Sequence, residues 1–131
     1  MDKKLLYHSV EEKADILTGL SDRIWEYAEL SMLEYKSTAA YVQVLNEEGF
    51  EVTENLCNIP TAFSGSFGSG HPVIGILGEY DALFNLSQVP GIAQRQEYIP
   101  GAPGHGCGHN LLGVGALGAA IAVKDYLIQT G

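Results

Sequence analysis

Pro72-Val73-Ile74-Gly75-Ile76-Leu77 is a continuous apolar run with no polar side chain to turn toward water. A strand with one wet face alternates apolar and polar residues. A run that is apolar throughout is the pattern of a strand covered on both faces, as in sheets with helices above and below. Two shorter β-like runs precede it. One covers 50–56, where Phe50, Val52 and Leu56 point the same way, and the other covers 61–67. Gly68-Ser69-Gly70 is short and turn-prone, so the runs 61–67 and 72–77 are expected to form a hairpin.

Helical periodicity flanks these runs. Ser9-Val10-Glu11-Glu12 reads as a capping box, in which a hydroxyl and a carboxylate satisfy the first free amides of a helix. Ala14, Leu17, Leu20, Ile24 and Tyr27 then recur at three- and four-residue intervals, one apolar helical face. Ser37 or Thr38 can open a second helix, with Tyr41, Val42 and Leu45 facing inward and Gly49 stopping it. From Phe84 to Pro103 the pattern dissolves into a loop of about 20 residues, a length that in a compact domain marks function or disorder. Helical character returns over 111–129, where Gly113, Gly115, Ala116, Gly118, Ala119 and Ala120 let a backbone lie close to its neighbour. The order helix, helix, strand, strand, strand, loop, helix makes the class α/β, and 131 residues suit one domain.

Charge narrows the functions. The net charge of -9 arises from 16 acidic against 7 basic residues. No basic stripe exists to displace counterions from phosphates, which argues against nucleic acid. The N-terminus lacks the apolar core of a signal peptide, and no apolar run approaches the roughly 18 residues of a membrane span. A cytoplasmic location is therefore expected. Cys57 and Cys107 could pair in an oxidising compartment, but in a reducing one a cysteine flanked by histidines is more naturally a thiolate ligand or a nucleophile.

Two places concentrate chemistry. Gly78-Glu79-Tyr80-Asp81-Ala82-Leu83 follows the most apolar run, and beyond the carboxyl ends of such strands ligands gather. Gly104-His105-Gly106-Cys107-Gly108-His109-Asn110 lies where the last helix begins, with interleaved glycines that allow a thiolate and an imidazole to converge on one ion. Three readings of this cluster stand side by side: a metal site, a buried cysteine with hydrogen-bonding histidines, and a reactive thiol. His8, His71 and Cys57 fall in a polar terminus, a turn and a loop, where a solvated or incidental role is expected.

These two motifs in order, with Ile24-Trp25-Glu26, Asn58-Ile59-Pro60-Thr61-Ala62-Phe63 and Leu86-Ser87-Gln88 between and before them, resemble the aminobenzoyl-glutamate hydrolase branch of the aminoacylase/carboxypeptidase metallopeptidases (peptidase family M-twenty). The resemblance implies that residues 1–131 are the N-terminal part of a three-layer α/β/α catalytic domain, without the lid or dimerisation domain. It implies that Cys107 and His109 ligate a divalent metal, Zn or Mn, at a site that is dinuclear in the complete enzyme. Asp81 matches the acidic residue that orients the catalytic machinery. The roles of Glu79, His105 and Asn110 stay open, with His105 matching a position beside the metal and Asn110 standing where several relatives have aspartate.

The implied activity is hydrolysis of the amide bond of N-acyl, aminobenzoyl-type amino acids or small dipeptides, with homo-oligomerisation or a complementary chain in the complete enzyme. The general-base glutamate and further ligands of the family fall beyond Gly131, so the chain alone is expected to be inactive. Two rivals are an inactive fragment or subunit needing a complementary chain, and a thiol-dependent enzyme using Cys107.

Overall fold

A computed structural model describes residues 3–131. Its elements run α1 (Lys3–Glu12), α2 (Ala14–Tyr27), α3 (Tyr35–Glu47), β1 (Glu51–Glu54), a 3-10 turn (Leu56–Asn58), β2 (Phe63–Ser66) and α4 (His109–Thr130). The architecture is mixed helix with a small two-stranded sheet.

Of the helical stripe read from the sequence, Leu17, Leu20 and Ile24 form one wall of the core, while Tyr27 is half-buried and Ala14 at the first turn is exposed. Leu17, Leu20 and Ile24 of α2 are buried with Ala40, Tyr41, Val44 and Leu45 of α3 and with Val114, Leu117 and Ile121 of α4. On α3 the inward positions are Tyr41, Val44 and Leu45; Val42 is only half-buried. Two glycines explain how closely α4 seats. A Cβ on Gly118 would lie 3.1 Å from a Leu17 methyl, and one on Gly113 would run into the Tyr41 hydroxyl and lie 2.7 Å from the Glu79 carbonyl. At 22 residues and mean hydropathy 1.7, α4 has the length and composition of a membrane span, longer than the broken apolar runs of the sequence suggest. Here one face of it, through Val114, Leu117 and Ile121, is buried in the core, while Leu111, Leu112, Leu127 and Ile128 are exposed.

Three expectations are corrected. Ser9 does not start a helix: α1 begins at Lys3, and the Ser9 hydroxyl donates instead to Asp125 Oδ2 at 2.6 Å, while Glu12 pairs with His8 one turn back at 3.3 Å. Nor do Ser37 and Thr38 cap α3, because its first free amides have a stronger acceptor. The Glu29 carboxylate accepts from Lys36 N at 3.0 Å, Ser37 N at 2.8 Å and Ser37 Oγ at 2.8 Å.

The third concerns the sheet. The hairpin joins β1 to β2, with Glu51 opposite Ser66 and Glu54 opposite Phe63, rather than joining 61–67 to 72–77. The connection is closed by Leu56 N–H to Ala62 O and Ala62 N–H to Ile59 O. Among the described residues the run 72–77 pairs with no strand, and Val73, Ile74 and Leu77 are 81%, 76% and 90% exposed.

A buried ionic network ties the helix ends together. Glu48 accepts from Lys13 Nζ at 2.6 Å and Lys124 Nζ at 3.1 Å, and Lys124 also reaches the Glu48 carbonyl at 2.7 Å and Asp125 at 3.2 Å. Burial opposes ionisation of Glu48, but the Lys13 and Lys124 hydrogen bonds outweigh it and hold its carboxyl below 4.5. Asp125 is likewise lowered, with Ser9 and Lys124 outweighing burial. Lys13 is raised above 10.5, mainly by its bond to Glu48. Depressed carboxyls stabilise the fold above their unfolded values, and that stabilisation is lost as pH falls through the folded ones. The raised Lys13 contributes in full below 10.5 and is lost as pH rises through its folded value. Glu48→Gln in the intact protein is expected to cost roughly 3 kcal/mol at neutral pH, the low end for removing one partner of a buried pair. Urea midpoints of the two proteins should differ at neutral pH and converge in acid, as the carboxyl of Glu48 takes up its proton; a constant difference would exclude the network as its source.

Candidate metal centre

The segment after the exposed apolar run is fixed from three sides. Ala82 N–H donates to Glu29 O at 2.7 Å, in a parallel bridge between Leu30 and Ala82. Leu83 and Gly104 exchange two hydrogen bonds of 3.0 Å, which pinch the long loop shut at its base. In extended backbone alternate side chains face opposite ways, and the sequence Glu79-Tyr80-Asp81 uses that. Tyr80 turns into the core, its ring packed at 5.0 Å from the Tyr41 ring, with its hydroxyl donating to the Thr61 carbonyl and 2.9 Å from Thr38 Oγ1. Burial pushes the Tyr80 phenol up to about 12. Glu79 and Asp81 are left on the other side, facing the start of α4.

There His109 receives both. Its Nδ1 lies 2.8 Å from Asp81 Oδ1 and its Nε2 lies 3.4 Å from Glu79 Oε2. The ligand atoms of Glu79, Asp81 and His109 all fall within 4.8 Å of one another. Asp81 and His109 are mostly buried, at 23% and 17% side-chain exposure, while Glu79 is open to solvent at 63%. In the tautomer that donates Nδ1–H to Asp81, Nε2 carries the lone pair that can ligate. That is the arrangement of a ligating histidine with its orienting carboxylate. An imidazole nitrogen with carboxylate oxygens suits Zn or Mn.

Of the residues singled out in the sequence, Asp81 and His109 are therefore brought together, and Glu79, whose role stood open, joins them. Cys107 is exposed in the turn before Gly108, outside this group of converging atoms. His105 lies close enough to feel the charges of Asp81 and His109 but forms its hydrogen bond elsewhere. Its Nε2 lies 3.0 Å from the Ile24 carbonyl, to which it donates, while Nδ1 is buried with no partner among the described residues. Burial holds the His105 pKa below 6.5, and the Ile24 bond only partly offsets this, so the ring is neutral and pins the loop to the end of α2. Asn110 is structural as well, donating from Nδ2 to Ser21 Oγ at 3.0 Å and tying α4 to α2.

Glu29 was missed by sequence reasoning. Its carboxylate caps α3 and its carbonyl holds the segment bearing Asp81, so it supports the site from behind. A glutamate in the link between two helices, seven residues before the first amide it caps, carries no local signature.

No family model matches the chain. A subunit of p-aminobenzoyl-glutamate hydrolase from Escherichia coli (strain K12) is 50% identical to it over 123 residues, which are 94% of this chain and 26% of that protein. Over nearly all of its own length, the chain is thus similar to about a quarter of a hydrolase subunit.

Proposed function

We propose that this chain is the N-terminal segment of a metal-dependent amidohydrolase that cleaves the amide bond of aminobenzoyl-type N-acyl amino acids or small dipeptides. The observation that carries the reading is His109, held through Nδ1 by Asp81 with Nε2 turned toward Glu79. The likeness to a p-aminobenzoyl-glutamate hydrolase subunit supports the amide chemistry and a complementary chain. In the whole protein the run 72–77 would be an inner strand of a three-layer α/β/α domain, which accounts for its unbroken apolar pattern.

Within this reading His109 and Glu79 hold a divalent cation, Zn or Mn, with the Cys107 thiolate as a further ligand from the same turn. Such a cation, when bound, supplies Lewis acidity toward the scissile carbonyl and the attacking water. Asp81 keeps the Nδ1 proton in place, so His109 presents one nitrogen in one orientation. Further ligands and the general base are proposed to come from outside these 131 residues, which by themselves are proposed to be inactive.

Asp81→Asn tests the site. Asparagine keeps the shape but replaces a charged acceptor for Nδ1–H by an amide, and turnover of p-aminobenzoyl-glutamate by the intact protein should fall roughly 10–100-fold. The thermal midpoint should change little. Turnover near wild type with full metal content would remove Asp81 from the site.

A further inference from the structure

A second feature adjoins the turn that leads into His109. Between the end of α2 and the long loop runs a cleft of about 760 Å3, walled by Trp25, Tyr27, Pro90, Tyr98, Ile99 and His105. Its lining is more apolar than polar, with rings from Trp25, Tyr27 and Tyr98 beside the polar Glu26, Ser87 and Gln88, and its volume is in the range of small-molecule sites. The loop wall is braced from within. Ser87 N–H reaches Ala102 O at 3.1 Å, Val89 N–H reaches Gln96 O at 2.8 Å, and Ile99 N–H donates to Ser87 Oγ at 3.0 Å. The Gln88 side chain adds a bond to Gln94 O at 2.8 Å and accepts from Gln96 N–H at 3.1 Å. Polar groups of the loop wall are thus bonded to one another, which leaves a preformed, predominantly apolar slot and little ordering cost for an occupant.

We propose that this cleft is the acyl-arm subsite and takes the uncharged aromatic ring of the substrate, an inference that rests on the amidohydrolase reading above. His105 and Gly106 belong to the cleft wall and run directly into Cys107 and His109, so an acyl arm in the slot lies next to the amide at the metal centre. Charge sets the direction. Glu26 is exposed on the rim and the chain carries a net charge of -9, so the cleft repels the carboxylates of the amino-acid half and admits the neutral ring. Rings prefer offset or edge contacts with other rings, and Trp25, Tyr27 and Tyr98 bring rings to the lining.

Two measurements on the intact protein test this, using Tyr98→Ala, Trp25→Leu and, as a surface control, Tyr7→Ala. Binding of 4-aminoacetophenone, an uncharged aromatic ring with no amide to hydrolyse, is followed by ligand-observed NMR. Its Kd should rise about tenfold in both cleft variants and stay put in Tyr7→Ala; no binding to wild type, or an unchanged Kd in the cleft variants, overturns the subsite. The ratio of kcat/KM for p-aminobenzoyl-glutamate over N-acetyl-glutamate should fall about tenfold in the same variants, and an equal loss on both substrates also overturns it. Should Trp25→Leu lower the thermal midpoint, the exposed Tyr98 decides alone. Wild-type protein that turns over neither substrate contradicts the amidohydrolase reading, while the binding measurement still decides the cleft.

Discussion

His109→Ala in the intact protein is expected to lower turnover of p-aminobenzoyl-glutamate by about 1,000-fold, the scale on which one electrostatic stabiliser of a transition state counts. Geometry is the reason. His109 is the one imidazole among the described residues that meets two carboxylates, at 2.8 and 3.4 Å, and its ring sits between two acids that would otherwise repel each other. Removing it leaves Glu79 and Asp81 facing each other across the gap, with less to hold a metal. Bound metal measured on the same sample should fall with activity. His105→Ala separates this from general damage to the loop, since His105 hydrogen-bonds the Ile24 carbonyl rather than Glu79, Asp81 or His109. Its loss should cost stability and leave bound metal in place.

The second large effect is steric and changes sign within one helix. Gly113→Ala and Gly115→Ala both add a methyl to α4, and alanine is favoured over glycine in a helix interior by about 1 kcal/mol. At Gly115 nothing lies within 4 Å of the new Cβ, so that variant should be stabilised by roughly 0.5–1 kcal/mol. At Gly113 the new atom would sit 2.7 Å from the Glu79 carbonyl and press on the Tyr41 hydroxyl. Neither can step aside: one is backbone and the other is the end of a ring buried to 3% exposure. Overpacking of this kind costs about 1–3 kcal/mol, and relief requires the segment bearing Glu79 and Asp81 to move off α4, away from His109. Gly113→Ala should therefore lose stability and activity together, measured as urea midpoint and turnover. Stabilisation of both variants would mean that α4 does not pack on that segment.

The contrast between these positions shows where the sequence was legible. The α2 stripe through Leu17, Leu20 and Ile24 is local information, repeated every turn, and it predicts the buried face correctly. Asp81 and His109 could be singled out because each motif has its own dense signature, whereas their contact with each other appears only in the structure. Strand pairing was not legible. Whether 61–67 meets 50–56 or 72–77 depends on which backbones reach each other, and the turn-prone Gly68-Ser69-Gly70 pointed to the wrong one. The capping signals at Ser9 and at Ser37 were misread for a related reason. Each residue has local capping chemistry, yet Ser9 is claimed by Asp125, 116 residues away, and the amides at Lys36 and Ser37 by Glu29. Glu79 was visible as an acid beside a strand end. Its approach to His109 Nε2 follows from alternation across Tyr80, which turns inward only because Thr38, Thr61 and Tyr41 wait for it.

One measurement bears most directly on the claim that these residues serve metal-dependent amide hydrolysis. The intact protein is dialysed against a chelator, then Zn(II) or Mn(II) is added back, and hydrolysis of p-aminobenzoyl-glutamate is followed throughout in wild type and in His109→Ala. Turnover is expected to disappear on metal removal and to return on addition in the wild type alone. Turnover that survives complete removal of metal would contradict the claim, and its further loss in Cys107→Ser would assign the chemistry to the thiol instead.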